Sequence, residues 1–283
     1  MIDLHVHTIF SDGEYSPIDI LKICKANGIL TLAITDHNSL DGSKRAILSN
    51  PYKDISIIPG VELSAIYPVN GANLHILGYN IDLNNETLNS VTKEVMKDNI
   101  TRLESLIYLL KEHYDLTFKQ IDIDNVFNSI GNIGKTDIAK LCVKYNYAPT
   151  IDFAFDNFFN PIEAQIAKRK TVLTDLSCIE YIRGAGGIPC LAHPITLKKD
   201  LAKLKKYIAT LIPYGLEAIE VYHSIHSQEY SNELLKIVNE YGLLYSVGSD
   251  FHGPLVSPDI ELGYGKKHNL CKNNATILSE IVR

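Results

Sequence analysis

The sequence predicts an α/β fold, a mainly parallel sheet closing into a barrel and broken once by an all-helical insertion. Three observations predict it. Short apolar runs alternate with amphipathic stretches at both ends of the chain, whereas Asp82 to Lys170 carries helical periodicity and no strand signal. The apolar runs also end repeatedly in histidine or a carboxylate, and barrel closure would bring all those ends to one mouth.

Ile2, Leu4 and Val6 alternate with Asp3, His5 and His7, which predicts a strand with both histidines on one face, followed by a turn at Ser11-Asp12-Gly13. Ser16 and Pro17 open a helix whose apolar face is Ile18, Leu21, Ile23 and Cys24, and Gly28 stops it. Ile29 to Thr35 is apolar enough for a strand covered on both faces, and it runs into Asp36-His37. A short helix follows around Asp41 to Leu48. A strand from Ile55 to Ile58 is expected to end at Pro59-Gly60-Val61-Glu62, and Leu74 to Tyr79 is another strand, containing His75.

Within the insertion, Leu88 to Leu110 marks one or two long helices, with shorter ones near 123–128, 136–145 and 151–158. The alternation resumes with a helix from Asp175 to Gly184. Strands are expected at Ile188 to Ala192 before His193, at Ala218 to Tyr222 before His223, and at Leu244 to Val247 before Asp250 and His252. Helices from about Leu201 to Leu211 and from Ser227 to Tyr241 separate them.

The 283 residues are 46% hydrophobic and 21% charged, ordinary values for a folded chain with ample core. A net charge of −6 argues against a broad grip on long nucleic acid and leaves room for a small phosphorylated substrate in a local basic pocket. Five scattered cysteines with no CxxC spacing indicate neither a disulfide framework nor a zinc ribbon. No apolar run reaches membrane-spanning length and no signal peptide is evident, so a cytoplasmic protein without a membrane or a stable protein partner is expected.

Of ten histidines, His5, His7, His37, His75, His193, His223 and His252 fall in or just beyond a predicted strand. Asp12, Asp36, Glu62, Glu220 and Asp250 join them. So many unpaired polar groups at one mouth are costly unless cations satisfy them, and imidazole with carboxylate suits zinc, iron or manganese. A hydrogen-bonded polar mouth without metal is the other reading, and a structural role stays open for His75 or Glu220 taken singly.

HVHT at the start, SDG, TDH at Thr35 to His37, GVE at Gly60 to Glu62, LHILGY at Leu74 to Tyr79, AHP at Ala192 to Pro194, EVYH at Glu220 to His223 and GSDFHG at Gly248 to Gly253 together resemble the PHP (polymerase and histidinol phosphatase) family of metal-dependent phosphoesterases. The resemblance implies a distorted (β/α)7 barrel, residues 1–81 and 171–283, with a helical cap at 82–170 like that of the branch acting on nucleotides and short oligonucleotides. It implies two or three divalent ions, manganese foremost and iron or zinc as alternatives. His5, His7, Glu62 and Asp250 would hold the first, Asp12, His37 and His252 the second, and Glu62, His75 and His193 a third. A water shared by such ions would ionise near neutral pH.

His223, Asp36 and Glu220 are the expected catalytic residues, His223 as proton donor to the leaving group. Lys135, Lys168 and Arg169 are the expected substrate-binding residues, because Lys135-Thr136-Asp137 stands where that branch shows Arg-Pro-His. The start of the helix behind Lys135 is also expected to favour an anion. The expected activity is hydrolysis of a nucleoside mono- or bisphosphate or an oligonucleotide end. Histidinol phosphate phosphatase and a non-catalytic metal-binding domain are the alternatives.

Overall fold

A computed structural model describes residues 1–66, 73–168, 170–270 and 274–281, with Asn73 described by its backbone alone. Seven strands form one sheet in chain order: β1 (Ile2–Val6), β2 (Thr31–Ile34), β3 (Ser56–Ile66), β4 (Asn73–Tyr79), β5 (Ile188–Leu191), β6 (Ala218–His223) and β7 (Leu244–Gly248). Beyond β7 the chain bonds back to β1, Asp250 N–H donating to His5 O at 2.8 Å and His7 N–H to Phe251 O at 2.9 Å. The result is a nearly closed seven-stranded α/β barrel.

Local signals set the helices. In α1 (Pro17–Asn27) the Ser16 hydroxyl accepts the Asp19 amide, Pro17 takes the first position, and Gly28 at φ 69° ends the helix. Its inward face is Ile20, Leu21 and Cys24, with the expected Ile18 and Ile23 only partly buried. Outside the barrel also pack α2 (Asp41–Ser49), α7 (Asp175–Gly184), α8 (Leu201–Leu211) and α9 (Gln228–Tyr241). Between β4 and α7 run α3 (Glu86–Tyr114), α4 (Gln120–Phe127), α5 (Lys135–Lys144), α6 (Ile151–Ala154), a π-helical turn and a 3₁₀ turn ending at Gln165. These helices enclose an apolar cluster of their own, around Leu106, Leu110, Ile138, Phe159 and Ile162.

The structure departs from the pattern in two places. β3 does not stop before Pro59 but runs on to Ile66, pairing parallel with β2 up to Pro59 and antiparallel with β4 from Gly60 onward. β4 is also antiparallel to β5, so the sheet is mixed rather than parallel throughout. A two-stranded antiparallel connection needs no crossover helix, and six residues separate β3 from β4. Gly60 marks the change of partner, since a Cβ there would come within 2.9 Å of Ile34 O.

The second departure lies in β1. Its pairing with β2 shifts by one residue between Asp3 and Val6, a β-bulge that breaks the single alternation. Ile2 and Leu4 join the interior cluster, to which every strand contributes, whereas Val6 packs with α1. Asp3 therefore does not accompany the two histidines, and the amides of Ser249 and Gly263 donate to its buried carboxylate at 2.9 and 2.7 Å.

Candidate metal centre

Strand ends and the loops after them carry the polar cluster. His5 and His7 leave β1, Asp12 lies in the turn after it, His37 follows β2, Glu62 lies within β3 and His75 within β4. His193 follows β5, and Asp250 and His252 follow β7. Glu62 is the hub, fully buried. Its Oε2 stands 3.3, 3.2 and 2.9 Å from ring nitrogens of His5, His7 and His37, and its Oε1 2.9 and 3.1 Å from those of His75 and His193. Asp250 Oδ1 lies 3.3 and 3.1 Å from His5 and His7 Nε2, and Asp12 Oδ1 lies 3.1 Å from His252 Nε2.

Most of these rings are held from behind. His5 Nδ1 lies 2.9 Å from Glu220, His193 Nδ1 3.1 Å from Thr196 Oγ1, His252 Nδ1 2.9 Å from the Asp250 carbonyl, and His7 Nδ1 3.3 Å from Ser11 Oγ. In each the second nitrogen faces the cluster, the arrangement that orients an imidazole towards a metal. Asp250, at φ 57°, and His193, at φ 20°, sit in sparsely populated backbone regions held by the bonds from Asp250 N to His5 O and from His193 N to Glu220.

The fit to metal rests on unsatisfied atoms. His5 Nε2, His7 Nε2, His37 Nδ1, Glu62 Oε2 and Asp12 Oδ1 are buried without a hydrogen-bond partner, which is costly for protein groups alone. Ligand atoms around one ion with bonds of about 2.0–2.2 Å stand roughly 3–3.5 Å apart, the separations found here. Three sets are close enough to share an ion: His5, His7, Glu62 and Asp250; His7, Asp12, His37 and His252; and His37, Glu62 and His75. A fourth, His5, Glu220 and His223, lies behind them.

A model of the PHP domain matches residues 3–161, more than half of the chain. The chain belongs to the PHP family. Among PHP proteins it is 26% identical over 258 residues to a 5'-3' exoribonuclease of Haemophilus influenzae, covering 89% of this chain and 90% of the relative. It is 25% identical to a 3',5'-nucleoside bisphosphate phosphatase of Chromobacterium violaceum, covering 89% and 87%. A solved structure from Bifidobacterium adolescentis, described as a metal-dependent phosphoesterase, superposes with a TM-score of 0.78 at 25% identity over 99% of this chain and 95% of that one. The chemistry of this PHP protein is phosphoric ester hydrolysis.

Two expected catalytic residues stand behind the PHP centre instead of on it. Asp36 accepts from Thr8 N, Thr8 Oγ1 and Ser11 Oγ, each at 2.7 Å, and Ser11 in turn backs His7. A Cβ on Gly42 would collide with the Asp36 carboxylate at 1.8 Å, so α2 must bring a glycine there. Glu220 accepts from His5 and from the His193 amide. Both carboxylates hold residues of the cluster from behind. Thr8 and Ser11 are partners of Asp36 that the sequence does not reveal, because nothing in the spacing pairs them with it.

A cavity of about 180 Å³ opens beside the PHP centre, with Asp12, His37 and His75 on one side and Asn99, Lys135, Thr136 and Phe155 of the insertion on the other. Lys135 is the expected residue that reaches it. Its Nζ pairs with Glu163 Oε2 at 2.8 Å, and Arg102, not predicted, reaches Glu163 Oε1 at 3.3 Å. Asp137 Oδ2 accepts the Gly134 amide at 2.9 Å, so the start of α5 is capped by a carboxylate, and Lys135 is the lysine that lines the cavity there. Lys168 is exposed and away from the cavity, and Arg169 lies outside the described residues, as does Cys271. The other four cysteines are buried free thiols.

Without metal the acids of the centre hold protons on several of its histidines, whereas burial pushes His75 down to about 4. Burial pushes His37 and His252 down, but Glu62 and Asp12 for the one, and Asp12 and Asp250 for the other, outweigh it and raise each to about 9. These rings are charged at neutral pH, and nearby carboxylates raise His5 and His193 as well, so metal uptake at pH 7 is expected to release at least two protons per chain, read by calorimetry in buffers of different ionisation enthalpy. Uptake without proton release would contradict it. In the metal-free protein the stabilisation from His37 and His252 is complete below about pH 6.5 and is lost as pH rises through about 9.

Proposed function

We propose that this PHP protein hydrolyses a phosphate ester of a small nucleotide: a nucleoside mono- or bisphosphate or a short oligonucleotide end. The observation that carries the reading is a cluster of imidazoles and carboxylates whose Asp12, His37 and His75 line one side of an open cavity, with Lys135 of the insertion on the other. Two or three divalent ions, manganese foremost, would be held by His5, His7, Asp12, His37, Glu62, His75, His193, Asp250 and His252. Such ions supply an activated water and take up charge developing on phosphate oxygens. The named relatives that act on RNA ends and bisphosphates support nucleotides as the substrate class. Buried free thiols support a reducing, cytoplasmic setting.

The chain's own residues divide the remaining work. Lys135 meets a phosphate beyond the scissile one, and the insertion, residues 82–170, acts as a cap that limits water access. His223 carries a proton on Nε2, because the Ile225 amide donates to its Nδ1 at 3.2 Å, and it stands at the edge of the centre, 3.4 Å from Asp250 Oδ2. In this reading it protonates the leaving oxygen.

The test is a hydrolysis screen of metal-reconstituted protein against mononucleotides, 3',5'-bisphosphates, short RNA and histidinol phosphate. Preference for histidinol phosphate would overturn the nucleotide reading, and no hydrolysis of any ester would leave a metal-binding domain. Within that screen, Lys135→Ala is expected to raise the KM of a bisphosphate about tenfold and leave a small aryl phosphate unchanged. Glu163→Gln removes the charge that competes for Lys135 and is expected to lower the bisphosphate KM. Equal effects on both substrates would remove Lys135 from substrate selection.

A further inference from the structure

We infer that the helical insertion positions one ligand set of the centre, His7, Asp12, His37 and His252, and that metal in this set and docking of the insertion support each other. The inference rests on the reading of the cluster as metal-binding.

The contacts of the insertion fall on the loops of this set. Thr136 Oγ1 donates to Asp12 Oδ2 at 3.3 Å, and Lys140 Nζ donates to the Asp12 carbonyl at 2.8 Å, fixing both the side chain and the backbone of one ligand. The Asn132 side chain donates to the His37 carbonyl and its amide to Phe10 O, both at 2.9 Å, tying the second ligand to the turn that carries Asp12. Asn99 of α3 donates to Asn132 Oδ1 at 3.1 Å, so the longest helix of the insertion holds that carboxamide in place.

The third loop joins through Glu14. Its amide donates to the His252 carbonyl at 2.8 Å, its carboxylate accepts from the Val256 amide at 3.1 Å, and the Val256 side chain packs on the apolar cluster of the insertion. Among the described residues, no hydrogen bond runs from the insertion to Glu62, His75, His193 or Asp250. Their backing comes from barrel residues such as Glu220, Thr196 and His5.

The asymmetry has a physical consequence. Glu62 and His75 lie inside paired strands, whereas Asp12 and His37 lie in loops whose positions depend on what packs over them. Partners behind a ligand commonly change metal affinity 10- to 100-fold when removed. Coupling is reciprocal, so an ion bound by this set must also favour the docked insertion.

The test counts metal instead of turnover. Thr136→Val with Lys140→Met keeps volume and removes both contacts to Asp12. Metal-free protein titrated with Mn²⁺ and counted after desalting is expected to show one ion per chain weakened about tenfold or more, the others binding as in the parent protein. Thr136→Ser, which keeps the hydroxyl, is expected to bind as the parent does. Amide hydrogen exchange across 132–144 is expected to slow on Mn²⁺ addition in the parent and much less in the double variant. Unchanged affinity for every ion, or equal weakening of all of them, would overturn the inference. A parent protein that takes up no Mn²⁺ would overturn the metal reading itself, a distinct result.

Discussion

Glu62→Gln is expected to strip the centre of metal and to lower phosphoesterase turnover by on the order of 10³-fold. The substitution keeps size and shape, so the barrel has no cavity to absorb. It removes the one carboxylate whose two oxygens together approach five imidazoles, three on Oε2 and two on Oε1. A carboxamide offers one oxygen and turns its NH₂ towards the remaining histidines, which cannot all accept. Loss of bound cations removes several kcal/mol of charge stabilisation at the phosphate, and about 4 kcal/mol corresponds to roughly 10³ in rate. Metal analysis of the purified variant and hydrolysis of an aryl phosphate with added Mn²⁺ decide it. Full metal content with parental turnover would remove Glu62 from the centre's function.

His223→Asn is expected to keep all bound metal and lose roughly 10²-fold in turnover, the low end of what a positioned proton donor contributes. His223 is buried, 2% exposed, with its Nε2 lacking a hydrogen-bond partner beside Asp250. An asparagine amide reaches only the position of Nδ1, where the Ile225 amide already points, and leaves nothing at Nε2. A glutamine amide reaches the Nε2 position, so His223→Gln is expected to recover about tenfold of the loss. Unchanged turnover in His223→Asn would make the ring a packing residue against His226, its neighbour at 5.3 Å. Loss of metal in the same variant would instead make it a residue that orients Asp250.

Helix limits and site residues were legible in the sequence for different reasons. Helix limits such as Ser16-Pro17 and Gly28 are local, and they appear where the spacing placed them. The ligating residue types were visible because each closes a strand or lies in one, and a barrel leaves such ends little choice but to meet. Asp36 and Glu220 looked equivalent to Asp12 and Glu62 for the same reason. Their partners Thr8, Ser11, His5 and the His193 amide are 25 to 215 residues away or reached only after folding.

By itself, then, the sequence determined the α/β class, a helical stretch between the fourth and fifth strands, and the supply of imidazoles and carboxylates at one mouth, because periodicity and strand ends are written in consecutive residues. Tertiary structure alone decided the bulge that separates Asp3 from His5 and His7, the antiparallel setting of β4, and which carboxylates face the cluster or stand behind it. It also decided that Asn132, Thr136 and Lys140 reach the loops of Asp12 and His37. Each of those outcomes depends on pairing between segments far apart in the chain, and a register shift of one residue, which local pattern does not specify, turns a side chain from one face to the other.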